Sequence, residues 1–191
     1  MMRQILILAA VLLAPAAAMA QTVQTGTGRL DLVGEAPSAC LVSPPAAAVG
    51  SNASYQLTGA QTAQINITQL VDQTTAQPRA ASISLAVPII CNTAHHLIVR
   101  TTNGGLSRVG AASHDPGSIN GFREFLPYQV TANWSGQNVT GGSQTPSPVD
   151  ISTTDGAAGQ LSLTIDVPAG GDPLVAGVYS DSVVIELQVA S

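Results

Sequence analysis

The sequence predicts an all-β protein, a two-sheet β-sandwich, and three observations support this class. Apolar and polar residues alternate in several short segments, as expected of strands with one buried face. Clusters of Gly, Pro, Asn and Ser separate these segments. No stretch after residue 20 keeps the helical period of about 3.6 residues. A chain of 191 residues is long enough for one domain with a sizeable core.

The first twenty residues are typical of a secretory signal peptide. Arg3 supplies a positive charge, an apolar run covers residues 5–13, and Ala18-Met19-Ala20 matches a small-residue cleavage site. A membrane anchor is the alternative, but this run is short for a bilayer span, and no later segment is long and apolar enough to cross. We therefore expect a signal peptide at 1–20, an N-terminal extension at 21–39 and one β-domain at 40–191.

The mature chain carries little charge. There is no lysine, and removing Arg3 with the signal peptide leaves five arginines against eleven acidic residues, a net charge of −6. Nucleic-acid binding requires clustered cations, so this class of partner is excluded. Cys40 and Cys91 form an even count in an exported chain, which predicts one disulfide between them.

Alternation predicts eight strands, at residues 29–32, 40–43, 65–71, 82–91, 97–99, 128–134, 161–167 and 179–189. Residues 72–79 are predicted to form a polar turn, and residues 46–59, 106–126 and 141–148 to form loops. Pro88 lies inside one of the strands. Because proline cannot donate to a ladder, we expect an edge, a bulge or a bend there.

The last strand is the segment around which the functional argument is built. One parity is apolar (Tyr179, Val183, Ile185, Leu187 and Val189), and the other is mostly polar (Ser180, Ser182, Glu186 and Gln188). Only two residues follow it, so we expect this core strand to have an unfilled neighbour, which an exported protein must cover. A segment that could pair with this open edge precedes Cys40. Its alternate residues on one parity are Gly28, Leu30, Leu32 and Gly34. The alternative is that residues 21–35 pair within their own sheet.

Three stretches resemble the subunits of chaperone–usher pili. GRLDLVGEAPSAC, at Gly28–Cys40, resembles their N-terminal extension and first cysteine. SISLAVPIIC, at Ser82–Cys91, resembles their second cysteine strand. AGVYSDSVVIELQV, at Ala176–Val189, is similar to the closing strand of the spore coat protein U-like branch. With these three stretches, the resemblance covers most of the mature chain.

The resemblance implies an immunoglobulin-like, pilin-type sandwich that lacks its last strand. In such subunits a periplasmic chaperone lends a strand during folding, and an outer-membrane usher assembles the fibre. The extension of a neighbouring subunit then replaces the lent strand. Here Gly28, Leu30, Leu32 and Gly34 would form the donor strand. The implied function is a structural subunit of a pilus or coat, exported through the periplasm to the cell surface, with a part in adhesion or biofilm formation.

The residues that could carry chemistry form no catalytic motif. His95 and His96 would point to opposite faces of a strand, so they are poorly placed to share one metal, and a three-ligand site that includes His114 and Asp115 is the alternative. We expect the histidines to be polar edge and loop residues, and we expect no metal, no cofactor and no enzymatic activity. No G-x-S-x-G elbow and no phosphate-binding glycine loop occur.

Trp134 shares a parity with Tyr128 and Val130, which predicts a place in the core. The rival functional class is a monomeric secreted β-sandwich module that binds carbohydrate or mediates adhesion. Such a module would be expected to expose aromatic side chains.

Overall fold

The structure is a computed structural model that describes residues 29–111, 114, 117–118 and 120–190. The predicted signal peptide, residues 1–20, lies outside these residues, as do 21–28. The described residues form strands and no helix, so they include no helix long and apolar enough to cross a membrane. The strands are β1 Cys40–Val42, β2 Ala47–Ser51, β3 Ala53–Leu57, β4 Ala63–Ile67, β5 Ala81–Cys91, β6 His95–Thr101, β7 Leu106–Arg108, β8 Phe125–Leu126, β9 Gln129–Trp134, β10 Gln137–Gly142, β11 Val149–Thr153, β12 Ala157–Val167, β13 Tyr179–Ser180 and β14 Val183–Val189.

The strands pair antiparallel in four sheets rather than in the two predicted. The largest has the order β1-β5-β12-β9-β10, with β2 pairing with β5 as well. Two three-stranded sheets have the orders β11-β6-β14 and β13-β7-β8, and β3 pairs with β4 alone. The longest ladder joins β5 to β12 along their whole length, from Ala81↔Val167 to Cys91↔Ala157. The all-β prediction is therefore confirmed at the level of antiparallel sheets.

The core is built from alternate residues of the long strands, as the alternation predicts. Ile83, Leu85, Val87 and Ile89 of β5 are buried, and so are Leu161, Leu163 and Ile165 of β12. β6 and β11 of a smaller sheet add Leu97, Val99, Val149 and Ile151 to the same cluster. Burying each such side chain contributes roughly 1.5–3 kcal/mol. Trp134 is also buried, which confirms its predicted place in the core.

Pro88 lies where the partner of β5 changes. The Pro88 carbonyl accepts a hydrogen bond from the Ser43 N–H at 2.9 Å, so the backbone polar groups of Pro88 face the side of β1 and β2. On that side β1 ends opposite Ile89, and β2 begins opposite Ala86. The missing N–H therefore falls in a gap between two short partners, and no ladder bond is lost. This is the edge-like interruption that the proline predicts.

The predicted disulfide between Cys40 and Cys91 is confirmed. The two residues are direct cross-strand partners in the β1–β5 ladder and are separated by 51 residues in sequence. On the chain-entropy account such a bridge stabilises the fold by roughly 4 kcal/mol. Asn92 binds the chain just before β1: its Oδ1 accepts from the Ala39 N–H at 2.8 Å, and its Nδ2 donates to the Pro37 carbonyl at 2.9 Å. The start of the domain is thus held at the end of β5.

Several strands lie where the sequence predicts loops. β2 and β3 fall inside residues 46–59, β7 and β8 fall inside residues 106–126, and β10 and β11 were not predicted. Most of these segments are short or rich in Ala, Gly, Ser and Thr and show no clear alternation. β11 is the exception: Val149 and Ile151 are buried and alternate with the exposed Asp150 and Ser152, a signal that the sequence does carry. At β10 the sequence does carry a turn signal, the pair Ser135-Gly136 that precedes the strand. Both residues have positive φ in the structure, as a two-residue type I′ hairpin turn requires.

Two local contacts fix turns in the chain. A Cβ on Gly141 would collide with the Pro148 carbonyl oxygen, so only glycine fits this point of β10. In the predicted polar turn, the Asp72 carboxylate accepts hydrogen bonds from the Thr74 hydroxyl and from the N–H groups of Thr74 and Thr75. These bonds, the Thr74 hydroxyl first, lower the pKa of Asp72 to about 2.

Candidate functional site: the β14 edge

β14 is an edge strand among the described residues, in keeping with the unfilled neighbour that the sequence analysis expects. It pairs with β6 from Val183↔Thr101 to Val189↔His95, and no described strand pairs with its other side. Val183, Ile185 and Leu187 are only half-buried, although all three pack against the core. Val189, expected on the buried parity, is 48% exposed. The inward parity is thus correct for three residues, and no described strand hydrogen-bonds to the outer side of β14.

The predicted strand 179–189 is interrupted, and Tyr179 lies outside the β14 edge. Tyr179 belongs to β13 and pairs with Arg108 of β7, in a different sheet. Its hydroxyl donates to the Val175 carbonyl at 2.7 Å and lies 3.1 Å from the Arg123 carbonyl. Burial raises the pKa of Tyr179. This side chain therefore anchors a neighbouring turn and does not line the edge.

Asp181 causes the interruption and fixes the start of β14. Its carboxylate accepts hydrogen bonds from the Tyr128 hydroxyl at 2.7 Å, the Asn103 N–H at 2.8 Å and the Ser182 N–H at 2.7 Å. Burial, and then the bond to this carboxylate, raise the pKa of Tyr128 above its usual range. Sequence reasoning missed this role, because the partners lie 53 and 78 residues away in the chain.

The edge of a second sheet lies beside β14. β1 ends the large sheet and approaches β14 with Cα atoms within 8 Å, yet no ladder joins the two strands in the described chain. Neighbouring strands of one sheet lie about 4.8 Å apart, so an added strand needs about 9.6 Å between its two partners. Because β1 and β14 lie closer than this, a strand that enters here has to displace one from the other. We call Cys40–Val42 and Val183–Val189 together the β1–β14 edge site.

One ion pair lies on the outer face of β14. Arg100 of β6 donates from Nε to Glu186 Oε2 at 3.2 Å and from Nη1 to the Ser147 hydroxyl at 3.0 Å. Gln188 lies 3.4 Å from the same Glu186 oxygen. Both Arg100 and Glu186 are partly exposed, so the pair contributes little to stability. It does place a carboxylate beside the open edge.

The described part of the predicted donor segment forms no strand. Residues 29–39 carry no ladder, and Leu30 and Leu32 are 85% and 88% exposed. Arg29 Nε pairs with Asp31 Oδ1 at 2.6 Å, also in an exposed position. Gly28 lies outside the described residues, and nothing lies within 4 Å of a Cβ built on Gly34. The donor role stays a prediction. The alternative, in which residues 21–35 pair within their own sheet, also stays a prediction, because residues 21–28 lie outside the described residues.

The expectation that all three histidines are edge or loop residues is wrong for His95. Its side chain is fully buried, and its Nε2 accepts a hydrogen bond from Trp134 Nε1 at 3.0 Å. His96 lies on the other face of β6 and is partly exposed, within 3.4 Å of Asp150 Oδ1 and 3.0 Å of the Ser152 hydroxyl. The predicted opposite orientation of the pair is confirmed. Sequence alone carried no sign of the indole partner, which lies 39 residues away.

The part of the chain that the structure describes contains no cluster of three metal-binding side chains. His114 stacks on Phe125 with ring centroids 6.1 Å apart, and Asp115 lies outside the described residues. All six aromatic residues of the chain are described, and Phe122, at 45%, is the exposed one. A row of aromatic rings suited to carbohydrate is thus absent from the described surface.

Comparisons with protein-family models, with curated proteins and with solved structures found no match.

Proposed function

We propose that this protein is a structural subunit of a surface pilus or coat, and that the β1–β14 edge site accepts a strand from a neighbouring subunit. The observation that carries the proposal is the unpaired edge of β14, where Val183, Ile185 and Leu187 are half-buried. In this proposal the fold is an incomplete immunoglobulin-like sandwich, and the donor is residues 28–34. The protein has no enzymatic activity.

The physical basis is strand addition to an open edge. An extended segment gains affinity from main-chain hydrogen bonds with β14, and alternate side chains fix its register. Leu30 and Leu32 are exposed and on one parity, so both enter the site from the same face. Burying two leucines contributes roughly 3–6 kcal/mol before the cost of ordering the segment.

The same geometry explains why assembly produces a fibre. Donor and acceptor are different surfaces of one subunit, so the contact is head-to-tail and does not close on itself. An open apolar edge also promotes aggregation, which favours a periplasmic chaperone that covers it and an usher that exchanges the chaperone for a donor. The disulfide is consistent with an oxidising compartment, and hence with export.

The test is assembly of a double variant, Leu30→Asp with Leu32→Asp. Charged side chains cannot enter the apolar flank, so we expect the variant to fold with its chaperone and remain unpolymerised. Mature protein lacking residues 21–35 should behave in the same way. The measurement is size-exclusion chromatography and electron microscopy of material secreted with chaperone and usher.

The matched control is Leu30→Val with Leu32→Val, which keeps the apolar parity and should still polymerise. Polymers of the Asp double variant would contradict the donor assignment. A wild-type protein that stays a stable monomer with no partner would favour the secreted binding module instead.

A further inference from the structure

We propose that Arg29 and Glu186 set the register of assembly between two copies of this chain. The donor segment of one copy runs antiparallel to β14 of the next, with Arg29 opposite Glu186, Leu30 opposite Ile185 and Leu32 opposite Val183. This inference rests on the proposed function. It specifies the residues that pair across the interface, and it identifies the partner as a second copy of the same chain.

For a donor that runs antiparallel to β14, the buried parity leaves few registers. Residues directly opposite in an antiparallel ladder point to the same face, so the two leucines must lie opposite Val183, Ile185, Leu187 or Val189. Moving the donor two residues toward the start of β14 places Leu32 opposite Asp181. That carboxylate is already occupied by Tyr128, Asn103 and Ser182, and it ends the edge.

Shifts in the other direction bring like charges together or leave a leucine exposed. With Leu30 opposite Leu187, Asp31 lies directly across from Glu186, and like charges in that position are destabilising. With Leu30 opposite Val189, one leucine lies against a residue that is itself 48% exposed. Leu30 opposite Ile185 avoids both faults, because Asp31 then lies across from Val184.

Glu186 can take a second guanidinium. The hydrogen bonds from Arg100 and Gln188 both go to Oε2, so Oε1 is available to Arg29 of the incoming strand. Among the described residues, Arg29 is paired with its exposed neighbour Asp31 before assembly. Exposed pairs of this type are weak and exchange readily, so forming the new pair costs little. Because the matching charges are carried by one sequence, the complementarity points to a second copy.

The decisive experiment is disulfide trapping between two differently substituted chains. Cys40 and Cys91 are bonded to each other, so an introduced cysteine is the only thiol in each variant. Cα atoms of directly opposite residues lie about 4.5–5.5 Å apart, within the range of a disulfide, whereas diagonal neighbours at about 7–8 Å are too far. A Leu30→Cys chain is mixed with chains carrying Val183→Cys, Ile185→Cys, Leu187→Cys or Val189→Cys, and covalent dimers are measured on non-reducing gels.

We expect the Ile185→Cys chain to be trapped several-fold more than the other three. Preferential trapping of Val183→Cys, Leu187→Cys or Val189→Cys would overturn the register while leaving strand donation intact. If none of the four is trapped, strand donation at this edge fails as well, and the proposed function with it.

A charge exchange tests the pair itself. Arg29→Glu should slow polymerisation by about two- to tenfold, the range expected of one cross-strand charge pair reversed. Adding Glu186→Arg should restore the rate, and the distant exposed substitution Arg79→Glu serves as the control. If Glu186 acts only through Arg100, the double exchange gives no rescue, and that result would overturn the assignment of Arg29.

Discussion

Replacing His95 by alanine should destabilise the domain strongly, although the sequence predicts that this histidine is a polar edge or loop residue. The ring is fully buried, and Nε2 accepts the indole N–H of Trp134 at 3.0 Å. An indole nitrogen can only donate, so Nε2 is the unprotonated nitrogen of a neutral ring. The proton is then on Nδ1, which lies 2.8 Å from the Thr93 carbonyl and 2.9 Å from the Thr153 hydroxyl.

The magnitude follows from what the truncation leaves behind. His95→Ala leaves the Trp134 N–H buried without a partner, which costs about 1–3 kcal/mol. The bond from Nδ1 is lost as well, at about 0.5–1.5 kcal/mol. The space of the ring remains as a cavity in the core, which adds to the loss. We therefore expect a decrease of about 2–5 kcal/mol in the free energy of unfolding, a large share of the stability of a typical domain.

The assay is urea unfolding followed by fluorescence, since Trp134 is the single tryptophan of the chain and reports on this contact directly. The adjacent residue supplies a matched control. His96 is partly exposed on the opposite face of β6, so His96→Ala should change the free energy of unfolding by no more than about 0.5 kcal/mol. The reasoning is refuted if the two alanine variants unfold at the same urea concentration.

Three further outcomes are expected. Gly141→Ala should cost about 1–3 kcal/mol in urea unfolding, because its Cβ collides with a carbonyl oxygen, whereas Gly142→Ala meets no atom within 4 Å and should be nearly neutral; equal effects would contradict the collision. Tyr128→Phe removes the hydroxyl bond to the Asp181 carboxylate, a charge-assisted bond whose loss should cost about 1.5–3 kcal/mol; an unchanged unfolding midpoint would mean that the bond is not formed. Because hydrogen bonds lower the pKa of Asp72 from 3.8 to about 2, its carboxylate contributes full stability above pH 3.8 and loses it as the pH falls toward 2. NMR titration of that carboxyl measures this directly, and an unshifted midpoint would show that the Asp72 turn is not formed.

The sequence alone predicted the parts of the fold that depend on local pattern. Alternation in β5, β9 and β12 reports which side of a strand faces apolar neighbours, and that information is present in each segment by itself. The disulfide was also predictable, because two cysteines behind a predicted signal peptide leave one pairing. β2 and β10 were not predictable in this way: they consist mainly of small or polar residues that become strands by pairing with β5 and β9.

Only the tertiary structure decided the features on which the proposed function depends. The alternation of β14 does not distinguish a central strand from an edge strand, because one buried face looks the same in either position. The end of that strand at Asp181 depends on Tyr128 and Asn103, which lie 53 and 78 residues away in sequence. The burial of His95 likewise depends on Trp134, 39 residues later. In each case the deciding contact joins residues far apart in the chain, so no local pattern of the sequence could record it.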